Sequence, residues 1–209
     1  MLDRLITKYG YNQTIFTSEI LLEMKDYSRA RVFQLIKEAE LKEHLIKFEK
    51  VVFYIPTQTR YGKSVITVEE VINKKYITDG INVYGIYCGL ALQQNFMLTT
   101  QIPTTIEVIS NNETMWIREI KYKNRNVILR KSRLLINNEN VYTYTILELF
   151  TVLDINKLNE DKSIRNAIVS YIKEHSISLK DILNLIVAFP SKTMRNLMES
   201  GITNEITWK

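Results

Sequence analysis

Cysteine is nearly missing from this chain. Cys88 is the only one in 209 residues, so no intrachain disulfide can form and no cysteine-built zinc site exists. Histidine is almost as scarce, with only His44 and His175, and neither a metal centre nor a cofactor is expected. Proline (3) and glycine (6) are few, while hydrophobic residues make up 45%, which excludes a mainly disordered chain. The longest nearly apolar stretch, Val83 to Leu92, falls well short of the roughly 20 residues that cross a bilayer. The opening Met1-Leu-Asp-Arg-Leu places charges where a secretory signal needs apolar residues. A soluble, cytoplasmic protein of one large domain or two small ones is expected.

What is present in quantity is isoleucine, lysine and asparagine, at 28, 18 and 17 residues, as an AT-rich genome would encode. Lysine placement is therefore weak information, and arginine placement is stronger. Net charge is a mild +5. Yet Arg118, Arg125, Arg130 and Arg133, with Lys121, Lys123 and Lys131, crowd one short window opposed within it by Glu119 alone. A focused positive patch attracts phosphates; a merely solvated hairpin is the plain alternative.

Residues 1–10 read as a helix, with Leu2, Leu5, Ile6 and Tyr9 on one face and Gly10 as its stop. Thr17 or Ser18 can cap a second helix with Glu19 in its first turn. Asp26 or Ser28 can cap a third, running to about Lys42, whose inward stripe is Val32, Leu35, Ile36 and Ala39. Arg29, Arg31, Gln34 and Lys37 fall off that stripe. Leu45–Phe48 and Val51–Ile55 then read as a hairpin about Glu49-Lys50, and the polar run Thr57–Ser64 as a linker. Helix, helix, turn, helix, hairpin is the layout of a winged helix-turn-helix.

Beyond it, Val68–Tyr76 reads as a helix, Asp79-Gly80 as a turn and Tyr84–Phe96 as a buried helix interrupted by Gly85 and Gly89. Thr105–Ser110, Met115–Lys123 and Val127–Lys131 read as strands, the last two joined at Asn124-Arg125-Asn126, and the alternation in the middle one makes one hairpin face basic. Tyr144–Leu153 is helical. The tail from about residue 154 is helical too, with a Ser178/Asp181 cap and a break at Pro190. The expected class is α+β: a winged helix-turn-helix over 1–63, then a mixed α/β domain over 64–209.

Motifs for catalysis are thin. Gly62-Lys63-Ser64 resembles the end of a phosphate-binding loop, but position 57 is Thr57, not the glycine that the motif needs. No nucleophile elbow is present. Cys88 sits in an apolar run and reads as core. His44 reads as a boundary residue, and His175 as a favourable charge at a helix C-terminus. Glu119-Ile120-Lys121 matches half of a metal-dependent nuclease site, with Asp79 or Glu107 as the second carboxylate.

Three passages resemble the AbiEi family of antitoxins from bacterial type IV toxin–antitoxin (abortive infection) systems. They are Ser28-Arg-Ala-Arg-Val-Phe-Gln-Leu-Ile-Lys with Val51-Val-Phe-Tyr-Ile-Pro56, then Gly89-Leu-Ala-Leu with Leu98-Thr-Thr-Gln-Ile-Pro103, and Thr105-Ile-Glu-Val-Ile-Ser-Asn111. The resemblance covers roughly residues 1–150. It implies an N-terminal DNA-binding domain, repression of the protein's own operon at inverted repeats, and a second domain that counters a nucleotidyltransferase-like toxin without a stable complex. Relatives commonly carry an Arg-Gly or similar pair at the wing tip, where this chain has Glu49-Lys50. A turn needing φ > 0 is costly without glycine.

The leading expectation is thus a non-enzymatic antitoxin and repressor bound to double-stranded operator DNA. Arg29, Arg31 and Gln34 would read bases, since Arg pairs with guanine and Gln with adenine. Lys25, Ser28 and Lys50 would hold phosphates, and Lys121, Lys123 and Arg125 would grip flanking DNA. Paired half-sites would suit a homodimer or cooperative binding. A nuclease centred on Glu119 and Lys121, or a protein-interaction module, are the alternatives.

Overall fold

The computed structural model describes residues 1–206. Among them are ten α-helices and small sheets, an α+β chain that divides into two units after Lys74.

In the first unit, α1 (Leu2–Tyr9) buries Leu5 and stops at Gly10, whose φ is 77°. A short strand, β1 (Ile15–Phe16), leads into α2 (Thr17–Glu23). Phe16, not Thr17 or Ser18, takes the cap position of α2, because the Glu19 carboxylate reaches back to accept the Phe16 N–H at 2.7 Å. Ser28 caps α3 (Arg29–Leu41), its Oγ accepting the Arg31 N–H at 3.3 Å. Asp26, the other candidate cap, is instead gripped by both terminal nitrogens of Arg4 at 2.8 and 3.0 Å. Val32, Ile36 and Ala39 of α3 bury themselves among Leu5, Ile15, Ile20, Met24, Leu45, Phe53 and Ile55. Leu35 is only half-buried.

Next come β2 (Ile46–Glu49) and β3 (Val52–Tyr54), an antiparallel hairpin. β1 pairs with the free edge of β3, giving the order β1-β3-β2. The turn falls on Lys50-Val51 rather than on Glu49-Lys50, with a register irregularity after Lys47. Val51 supplies the positive φ, at 65°. A β-branched side chain is strained there, and the Thr17 N–H holds the Val51 carbonyl at 3.0 Å.

The expected linker at 57–64 is structured. β4 (Gln58–Thr59) and β5 (Gly62–Lys63) form a small hairpin, tied at its base by the side chains of Asn12, Thr57 and Ser64. Polar residues read as linker because their partners, such as Asn12, lie far away in sequence. α4 (Val68–Ile72) carries a Thr67/Glu70 capping box and runs on into a π-helical turn, Asn73–Ile77. The first unit extends past the expected boundary at residue 63, since the Lys74 ammonium reaches the Thr14 carbonyl at 2.6 Å and Glu19 at 2.8 Å.

In the second unit, the expected helix over Tyr84–Phe96 is a strand, β6 (Gly85–Tyr87), followed by a helix, α5 (Gly89–Asn95). The two glycines explain the split. A Cβ on Gly85 would collide with the Tyr76 carbonyl and lie 2.7 Å from the Ile109 carbonyl. Gly89 makes the strand-to-helix turn at φ +62°, against the Glu107 carboxylate. β7 (Thr105–Ser110), β8 (Ile117–Tyr122) and β9 (Arg125–Lys131) complete a four-stranded sheet of order β6-β7-β9-β8. β7 and β9 run parallel, and the other neighbours antiparallel. The β8–β9 turn is Lys123-Asn124, earlier than the expected Asn124-Arg125-Asn126.

Helix α6 (Val141–Val152) is the centre of the second core: Tyr144, Ile146, Leu147, Leu149 and Phe150 have no exposed surface. A helix apolar nearly all round must be enclosed. α5, α8 (Lys162–Glu174), α9 (Leu179–Ile186) and α10 (Ser191–Glu199) pack on it, while α7 (Ile155–Glu160) packs on α8. The expected Ser178/Asp181 cap is present. Among the described residues no helix is long and apolar enough to cross a membrane.

Val51 is 48% exposed, so replacing it sacrifices little packing. Val51→Asn relieves a left-handed β-branched residue and is expected to stabilise the chain by about 1 kcal/mol, seen as a rise of about 2–4 °C in Tm. A lower Tm would show that the turn is not strained.

Candidate nucleic-acid interface

The solvent face of α3 is set by its buried stripe. Arg29, Ala30, Arg31, Gln34 and Lys37 are all exposed. At about 100° of rotation per residue, however, Arg29 and Arg31 do not stand in one row. Ala30, Gln34 and Lys37 occupy the crest, and the two arginines flank it on opposite sides. The Arg31 guanidinium lies 3.5 Å from Glu38, two turns along its own flank. Arg29 lies over the Phe33 ring, 5.8 Å from its centroid. Ser28 closes the N-terminal end, and Lys25 is exposed in the turn that precedes it.

The flank carrying Arg29 borders a groove of about 550 Å³ between α2, α3 and the β2–β3 hairpin. Leu21, Phe33, Ile36, Val51 and Phe53 form its apolar wall, and Arg29, Lys37, Lys47 and Lys50 rim it against Glu40. Lys50 and Arg29 thus line the same groove. Lys37 and Lys47 join them, although neither is expected there from sequence. The one sequence signal for Lys47 is its alternation with buried Phe48 on β2.

In the second unit Lys121, Lys123 and Arg125 are exposed at the end of β8, in the turn and at the start of β9. The arginines around them behave differently from the expectation. Arg118 binds Glu113 through Nε at 3.0 Å and Nη2 at 2.6 Å. Arg130 binds Glu107 at 3.1 Å. Arg133 stands 3.9 Å from the buried Glu148 and over the Phe189 ring. Three acids from outside the window therefore fold against three of its four arginines, and the basic surface is smaller than a linear count implies. Burial raises the Glu148 carboxyl above its usual range, opposed by Arg133 and Arg130.

The catalytic candidates do not assemble. Glu119 and Glu107 share a sheet face with Ile128 between them in register, but Glu107 is held by Arg130. Asp79 accepts the N–H groups of Ile81 and Asn82 at 2.9 and 2.7 Å within its own turn. Among the described residues no three His, Cys, Asp or Glu side chains could hold a metal ion together. Lys63 is bound to Glu43. Cys88 is buried, and burial, with Glu148 and Glu107 nearby, pushes its thiol pKa well up, so it stays protonated at neutral pH. His44 is exposed at the end of α3. His175, at the C-terminus of α8, stacks on Tyr142 at 3.7 Å between centroids.

Compared with known proteins, no family model matches the chain and no curated protein matches it.

Glu113 anchors the entry to β8. Burial alone would raise its carboxyl, but the Met115 and Thr114 N–H groups and Arg118 outweigh that and hold it below the ordinary 4.5. A carboxyl lowered on folding contributes stability above its unfolded pKa and loses it as pH falls through the folded one. Acid unfolding of the native chain should therefore steepen below about pH 5, and Glu113→Gln should lower Tm at neutral pH and flatten that acid limb. An unchanged acid limb would remove Glu113 as its source.

Proposed function

We propose that this chain is a DNA-binding autorepressor and antitoxin of the AbiEi-like kind, its first unit a winged helix-turn-helix. The observation that carries the reading is the exposed crest of α3, which presents Gln34 and Lys37 beside a lysine-bearing hairpin. The element order and the β1-β3-β2 pairing support it, since a winged helix places a strand before the helical pair and seats it on the wing.

In this reading α3 enters a major groove. Gln34 on the crest faces base edges, and small Ala30 lets the helix approach closely. Arg29 and Arg31 reach outward on either side, to guanine or phosphate. Ser28, Lys25, Lys37, Lys47 and Lys50 hold the backbone on both sides of the groove. The second unit would counter a nucleotidyltransferase-like toxin without a lasting complex, and Lys121, Lys123 and Arg125 would add phosphate contacts to flanking DNA.

Titration of the full chain with duplex DNA from its own promoter tests the reading. Arg29→Ala with Arg31→Ala is expected to weaken specific binding by about tenfold or more, with circular dichroism unchanged. Retained affinity in the folded double variant would remove α3 as the reader. Glu38→Gln releases Arg31 from its partner and takes a negative charge off the crest's flank, so it should tighten binding. Lys121→Ala with Lys123→Ala should lower the slope of log K against log salt by about one for each phosphate no longer neutralised, while leaving sequence preference intact.

A further inference from the structure

β8 is the outer strand of its sheet, with β9 on one side and, among the described residues, no strand on the other. The carbonyl of Trp116 accepts the Lys131 N–H of β9 at 3.3 Å. Amide groups alternate in direction along an antiparallel strand. Arg118, Ile120 and Tyr122 therefore turn their amide groups toward β9, and Ile117, Glu119 and Lys121 turn theirs to the open edge. The side chains of those last three are exposed on one face. An edge of this length with outward donors and acceptors is a template for another strand.

We infer that β8 pairs antiparallel with β8 of a second copy of this chain, about a two-fold axis at Ile120. In that register Glu119 of each copy lies opposite Lys121 of the other. Each such pair exchanges two N–H···O bonds, about four in all, and brings opposite charges face to face twice. The neighbouring registers that keep outward amides matched place Glu119 opposite Glu119, or Lys121 opposite Lys121, and like charges reject both. On the other sheet face Ile120 meets its own copy. Trp116 and Ile117, 72% and 50% exposed, come to lie at the second copy's Lys123-Asn124 turn. The two sheets become one continuous sheet. Glu119-Ile120-Lys121, which assembles no catalytic group, serves here as a self-complementary charge code. None of this depends on DNA binding.

Sedimentation velocity of the full chain over a range of concentrations tests it. The native chain should show a reversible dimer. Glu119→Lys and Lys121→Glu, each placing like charges opposite, should each weaken dimerisation by about tenfold or more. The double reversal, Glu119→Lys with Lys121→Glu, should restore it, which a folding defect in either single variant would not do. A native chain that stays monomeric overturns the inference. So does a dimer indifferent to the single reversals, or one that the double reversal does not rescue.

Discussion

The burial of Val32, Ile36 and Ala39 decides which side of α3 the solvent sees. All three are 5% exposed or less, and burying a side chain of Val or Ile size is worth about 1.5–3 kcal/mol. Rotating α3 by one residue about its axis would replace that stripe with positions that include Lys37 or Arg31, whose burial without a partner costs several kcal/mol. The helix therefore has one stable orientation, and its exposed crest follows from the core beneath it. The hairpin is fixed to the same frame, because Thr17 at the start of α2 bonds the carbonyl of Val51. The groove rim and the crest are thus held in one geometry by packing, by the β1–β3 pairing and by that backbone bond, and the exposed residues bear none of that cost.

Elements whose pattern exceeds a turn or two are legible in the order of amino acids alone. The stripe of α3, the strand over Thr105–Ser110 and the capped helix after Ser178 each combine a period with a start signal. β1 has two residues, too few for any period, yet it completes the first sheet. β6 is hidden because its glycine reads as a weak helix residue; its real constraint is the approach of the Tyr76 carbonyl, which comes from a different segment. The hairpin over 58–63 is hidden for the same reason, since Asn12 closes it. At the candidate interface the identity of the exposed residues is legible, but not their division between crest and flanks. Placing two arginines two positions apart on a helix separates them by about 200°, and exposure alone does not convey that angle.

Charge is the least legible property. A linear window counts neighbours in sequence, whereas electrostatic energy counts neighbours in space. Glu107, Glu113 and Glu148 each lie outside the basic window, and each stands against one of its arginines. Their contributions differ with burial. Glu113 is bound by two backbone N–H groups as well as by Arg118, so its ionised form is favoured. Glu148 has one buried oxygen with no hydrogen-bond partner and faces Arg133 at 3.9 Å, so desolvation prevails there. Arg118, Arg130 and Arg133 therefore act mainly within the fold, although each belongs to the window that a linear count makes the most basic of the chain.

The tripeptide Glu119-Ile120-Lys121 shows how geometry chooses between chemistries that a motif leaves open. Metal catalysis needs carboxylates that converge on a point, and here the nearest candidate is a strand away and engaged by an arginine. Strand pairing needs the opposite arrangement: charges spread along an edge, alternating in sign, with amides turned outward. β8 has that arrangement. A dimer about Ile120 would carry two-fold symmetry, and inverted repeats in DNA carry the same symmetry. The two proposals are nonetheless physically separate. Reversing charges on β8 alters the affinity of one chain for another and leaves the base-facing residues of α3 untouched, so sequence preference at a single half-site persists while binding to paired half-sites loses whatever the second copy contributes. Altering α3 does the converse. Equal loss of sequence preference at a single half-site from both sets of changes would contradict that separation.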